Sequence, residues 1–122
     1  MANPAIANGK ICYIEIPSTD ITESSTFYTK AFGWQVKPRG DGTLAFNDTV
    51  GQVSGTWRTD RTPQTDLGML FYIMVLDIDA SLKAVVENGG KILQHANRHA
   101  PEIIARITDP SGNMLGLYQQ KL

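Results

Sequence analysis

The sequence predicts an α+β domain made of two copies of one strand–helix–strand–strand–strand unit. Three observations carry this reading. A strand, a capped helix and three more strands occupy about residues 9–61, and the same series restarts over about 66–120. Between them, Thr59 to Leu67 is polar, contains Pro63 and has the composition of a linker. Matched residues keep near-constant offsets. Tyr13 and Tyr72, like Asp20 and Asp79, lie 59 apart, whereas Asp48/Asp109, Gly51/Gly112, Gly55/Gly116 and Trp57/Tyr118 lie 61 apart. Repetition at a fixed period marks duplicated structural units. The 122 residues fit a single domain, so both units are expected to share one domain, 1–122.

Each element follows from local signals. Ile11-Cys12-Tyr13-Ile14-Glu15-Ile16 is rich in bulky and β-branched residues and reads as the first strand, ended at Pro17. Asp20 is placed as a helix N-cap with Glu23 three positions on, and Gly33 as the residue that stops this helix after Phe32. Trp34-Gln35-Val36 starts a second strand. Asp41-Gly42 marks a turn, Leu44-Ala45-Phe46 a third strand and Gln52 to Arg58 a fourth. In the second unit, Leu70 to Val75 reads as a strand. Asp79 is placed as the cap of a helix carrying Leu82, Val85 and Val86 and ended by Gly89-Gly90. Strands at Lys91-Ile92-Leu93, Ile103 to Thr108 and Asn113 to Tyr118 complete it, the last two joined by the turn Asp109-Pro110-Ser111-Gly112.

Composition narrows the function. The net charge of −1 and the lack of a basic stripe argue against a nucleic-acid partner. No apolar run approaches the roughly 18 residues that span a bilayer, so no membrane partner is expected. The start Met1-Ala2-Asn3-Pro4 has no signal-peptide pattern, and the single Cys12 cannot form an internal disulfide; both suit a cytoplasmic location. Walker, GxSxG, GxGxxG and CxxC motifs do not occur.

The Phe27-Tyr28…Phe32-Gly33-Trp34 stretch, the Gly89-Gly90-Lys91 break and the closing Asp109-Pro110-Ser111-Gly112-Asn113 turn resemble the vicinal oxygen chelate superfamily of glyoxalases, bleomycin-resistance proteins and extradiol dioxygenases. The resemblance runs from about Lys10 to Gln120. It implies two βαβββ modules forming a curved mixed sheet around a cleft, with helices packed outside, and a homodimer that completes two clefts. It also implies that metal-dependent relatives place a His, Gln or Glu on the first and fourth strand of each module. Counted from the helix caps and closing turns, those positions hold Tyr13, Gly55, Tyr72 and Gly116. None is a usual ligand for a divalent ion, so no metal ligand is assigned and no cofactor is expected, a divalent metal being disfavoured.

Strand alternation assigns faces. Cys12, Ile14 and Ile16 suit the helix side, with Cys12 expected to be buried there, which turns Tyr13 and Glu15 to the cleft. Tyr72 and Met74, Arg106 and Thr108, and Met114, Gly116 and Tyr118 are expected on the cleft side too, together with Gly55 and Trp57. The candidate ligand-binding residues are therefore Tyr13, Glu15, Trp57, Tyr72, Met74, Arg106, Met114 and Tyr118. The two tyrosines either contact a ligand or fill space. Glu15 reads as a general base, a ligand anchor or the ion-pair partner of Arg106, whose planar fork also suits a carboxylate ligand. His95 and His99 fall in a strand-to-loop segment before Pro101, where their i, i+4 spacing does not make a metal pair. The leading expectation is a metal-free protein binding a small aromatic or amphipathic molecule. The alternatives are an enzyme, a lyase, isomerase or dioxygenase with an atypical metal site or Glu15 as base, and a structural or partner-binding domain.

Overall fold

The computed structural model describes residues 4–8, 10–66 and 68–121. It contains β1 (Tyr13–Pro17), α1 (Ile21–Phe32), β2 (Gln35–Pro38), β3 (Leu44–Asn47) and β4 (Ser54–Arg58), then β5 (Tyr72–Val75), α2 (Ile78–Glu87), β6 (Lys91–Gln94), β7 (Ile103–Thr108) and β8 (Met114–Gln119). Each half is a four-stranded mixed sheet, ordered β1-β4-β3-β2 and β5-β8-β7-β6. The first and fourth strands of each half pair in parallel and the others antiparallel. The two units are thus repeated as the sequence predicts.

The helix caps show why the chain turns where it does. Asp20 is extended and accepts the Glu23 N–H at 3.1 Å, while Ser18 Oγ takes the Asp20 N–H. At the other end Gly33 sits at φ 75°, a left-handed conformation that costs a glycine little, and its N–H closes on Thr29. In the second unit the cap is Asp77, not Asp79: Asp77 accepts the Ala80 N–H, and the next residue, Ile78, is fully buried. Asp79 lies in the first helical turn and holds Arg98 at 2.7 Å.

Both helices pack on one face of their sheets and touch each other, so the halves share one core. In the first half that core is an aromatic column. Trp34 stacks between Tyr28 and Phe46 at 4.6 Å on either side, and Phe46 meets Trp57 at 4.8 Å. In the second half it is aliphatic, built from Val75, Leu82, Val85, Ala105, Ile107, Leu115 and Leu117. The halves are joined by a buried polar cluster. Asp109 Oδ2 accepts from the Tyr28 hydroxyl at 2.8 Å and from Asn113 Nδ2 at 2.9 Å. Asn113 Nδ2 also donates to the carbonyl of Pro17, and the Thr19 N–H donates to Ser111 Oγ. The closing turn of the second unit is therefore clamped to the β1–α1 junction of the first. Cys12 is exposed rather than buried on the helix face, because it precedes β1, which starts at Tyr13 rather than Ile11.

Among the described residues, no helix is long and apolar enough to cross a membrane.

Candidate functional site

Helices cover one face of each sheet; the opposite faces are left open. On the second sheet, burial alternates along β7: Ile103, Ala105 and Ile107 are buried against α2, which turns Ile104, Arg106 and Thr108 outward. Register then aligns Arg106 with Gly116 and Gly116 with Tyr72 in one row across the sheet, with Tyr118 beside Met74 in the next. Val75 is buried, whereas Tyr72 and Met74 are 44% and 65% exposed. The side chains of Tyr72, Met74, Arg106, Met114 and Tyr118 thus share the open face, where alternation places them.

Gly116 shapes this face. A methyl group added there would collide with the Tyr72 ring, so the phenyl ring lies flat across the glycine. Close approach of a ring to a backbone is one reason for a glycine inside a strand. Arg106, the next residue in the row, forms no ion pair among the described residues. Its Nε is buried with no hydrogen-bond partner.

The open face of the first sheet is polar. Tyr13 and Glu15 project from it, as expected. Glu15 is held by Arg61 at 2.6 Å and lies 3.7 Å from Arg58, which also grips Asp60 through Nε and Nη2. Glu15 therefore pairs with the residues after β4 and not with Arg106. Arg58, at the end of the fourth strand, and Arg61, within the polar linker, are the groups that neutralise it; their place at the linker hid this role.

Trp57 departs from expectation. It is fully buried on the helix side, between Phe46 and Tyr28. Gly55 shares that face, and a methyl group on it would strike Phe46. The cause lies in the turns. Asp48 closes its turn on the carbonyl of Val53, and Asp109 closes on that of Asn113, one residue sooner. The extra residue in the first turn reverses the parity of β4 relative to β8. Thr56, paired with Glu15, is consequently the counterpart of Gly116, paired with Tyr72. At the other end, Asp20 and Asp77 stand 57 residues apart, which makes Leu70 the counterpart of Tyr13.

With the repeats aligned this way, the four positions implied for metal ligands hold Tyr13, Thr56, Leu70 and Gly116. They do not fit a divalent ion. Tyr13 offers a neutral phenol, Thr56 Oγ1 already donates to the Leu44 carbonyl at 2.7 Å, and Leu70 and Gly116 have no side-chain donor. Among the described residues, no three His, Cys, Asp or Glu side chains gather as a metal-binding group. His95 and His99 are exposed in the loop after β6.

A cavity of about 780 Å³ lies along β5. Ile14, Phe32, Trp34, Phe46 and Ile73 give it an apolar wall, and Tyr72 and Met74 also line it.

The sequence profile of the Glyoxalase family, described as the glyoxalase/bleomycin resistance protein/dioxygenase superfamily, matches residues 10–117. The chain belongs to this superfamily. Among curated glyoxalase-family relatives, a glyoxylase-like domain-containing protein of Didymella fabae is 31% identical over 107 residues, covering 80% of this chain and 82% of that protein. CFP32 of Mycobacterium bovis, named for a glyoxylase, is 29% identical over 116 residues; the match spans 88% of this chain but only 44% of CFP32. Among solved glyoxalase-fold structures, TnmS3, an antibiotic-binding protein from Streptomyces sp. CB03234, superimposes with a TM-score of 0.69 at 21% identity, covering 96% of this chain and all of TnmS3.

Proposed function

We propose that this glyoxalase-family chain binds a small aromatic or amphipathic molecule on the open face of its second sheet, without a metal ion. The observation that carries the reading is the open face on which exposed Tyr72 and Met74 and half-buried Tyr118 surround Gly116, with Arg106, which forms no ion pair among the described residues, beside them. Ligand sites combine such apolar walls with a few placed polar groups. The donor set at the four inherited ligand positions supports the metal-free form. That an antibiotic-binding protein has the same fold supports this reading. The reading extends to a cytoplasmic homodimer in which the open face of each first sheet meets the second sheet of the partner, completing two clefts.

Binding is favoured over catalysis by Glu15. A general base needs a free carboxylate, and this one is pinned by Arg61 and flanked by Arg58. The test is a thermal-shift screen of purified protein against aromatic metabolites and antibiotics, before and after dialysis against a chelator, alongside metal analysis. Saturable binding that survives chelation is expected, and Glu15→Gln should retain it. Stoichiometric zinc, nickel, manganese or iron, with binding lost on its removal, would overturn the metal-free reading.

A further inference from the structure

We propose that Arg106 receives the carboxylate of a planar aromatic ligand whose ring lies on Tyr72. The inference rests on the ligand-binding reading of the same face and names the ligand class. Its basis is the row Tyr72–Gly116–Arg106. The glycine leaves no side chain between ring and guanidinium, so the two are adjacent across β8.

Charge balance points the same way. Arg58, Arg61 and Arg98 each hold a carboxylate within the chain. Arg106 holds none among the described residues; neither does Arg39, but Arg39 is exposed after β2 whereas Arg106 is half-buried on a central strand. Its Nε is buried with no acceptor. Buried donors are almost always satisfied, and the two terminal nitrogens of an arginine, which are open here, form a planar fork that matches the two oxygens of a carboxylate. No acceptor for this guanidinium stands among the described residues, which leaves its terminal nitrogens open to a ligand. A flat ring fits the Tyr72 surface by stacking, and a carboxylate on its edge fits the guanidinium in the plane of the sheet. Glu15 does not serve as that acceptor within the chain, since Arg61 and Arg58 already occupy it.

The experiment compares 2-naphthoate with its uncharged analogue 2-naphthamide by isothermal titration calorimetry. It uses the wild-type protein, Arg106→Lys and Arg106→Met, each first checked for a native circular-dichroism spectrum. The wild type is expected to prefer naphthoate by about 10- to 100-fold, the range of a hydrogen bond to a charged group. That preference should shrink in Arg106→Lys and vanish in Arg106→Met, with naphthamide binding unchanged. Raising the salt concentration should weaken naphthoate alone in the wild type, a readout that does not depend on any variant folding.

Equal affinity for the two probes leaves the ligand-binding reading standing and overturns the role of Arg106. A naphthoate preference that survives in Arg106→Met also overturns it. Failure of both probes to bind the wild type counts against the aromatic site itself and removes this inference with it. If Arg106→Met instead breaks a dimer, the guanidinium belongs to an interface carboxylate and the proposal falls.

Discussion

Tyr28 carries its hydroxyl from α1 into the interior and donates it to Asp109 of the other half. Burial pushes the Asp109 carboxyl up from its usual range, and the hydrogen bonds from Asn113 and Tyr28 pull it back in part. Because the folded value is raised, folding favours the protonated acid, and the associated stability fades as pH rises through the folded value. Removing the Tyr28 hydroxyl removes one donor that makes the charged form tolerable. Tyr28→Phe is therefore expected to cost about 1–3 kcal/mol at pH 7 and distinctly less near pH 4. Urea denaturation at the two pH values checks this; an equal deficit at both would falsify the coupling. Tyr28 itself is pushed well above its usual value near 10, first by burial and then by the Asp109 charge. Its contribution is present below pH 10 and lost at higher pH.

Strand faces were legible where parity within one strand sufficed, as for Tyr72, Met74, Arg106, Met114 and Tyr118. Parity misled where it had to be carried across a turn of unknown length. Trp57 matches Tyr118 in spacing from the turn aspartates, yet one is interior and the other faces out.

At the scale of elements, the order of strands and helices was legible because each boundary carries its own chemistry: Pro17 after β1, Asp20 before α1, Gly33 after it. The start of α2 was not, because Leu76-Asp77-Ile78-Asp79 offers two aspartates two residues apart. What decides between them is tertiary. Ile78 must be buried at the first helical position, and Gln119 Oε1 takes its N–H at 2.8 Å. The two aspartates should differ in worth. Asp77→Ala removes a cap and is expected to lower stability by about 1 kcal/mol. Asp79→Ala loses an exposed ion pair with Arg98 and is expected to cost no more than a few tenths. Thermal denaturation of the two variants measures the difference, and the reverse order would move the cap.

For the whole molecule, the telling feature is that β1 and β5 are both edge strands, and that β5 continues into an exposed apolar segment. Tyr72 and Met74 are followed by Leu76, which is also solvent-facing. An apolar edge left open invites pairing with another chain, and closed twofold symmetry is the common way to satisfy it. Sedimentation equilibrium at micromolar concentration is expected to give twice the chain mass, and Met74→Glu, a change at a site exposed in the single chain, is expected to give the monomer. A wild-type monomer would remove the paired clefts from the proposal. The shared superfamily could be read from motifs, but not how the halves divide their labour. The first sheet spends its open face on an ion-pair network around Glu15, while the second presents rings and a guanidinium that forms no ion pair among the described residues.

The one-residue difference between the turns closed by Asp48 and Asp109 decides what the last strand of each half displays, hiding Trp57 and turning Tyr118 outward. Lengthening a turn by one rotates the following strand by half a step, exchanging every side chain it hides for every one it displays, without altering a residue of the strand itself. A duplicated unit can in this way acquire a second surface chemistry in a single event. Its two descendants then keep the same fold while diverging in what they offer to the world outside it.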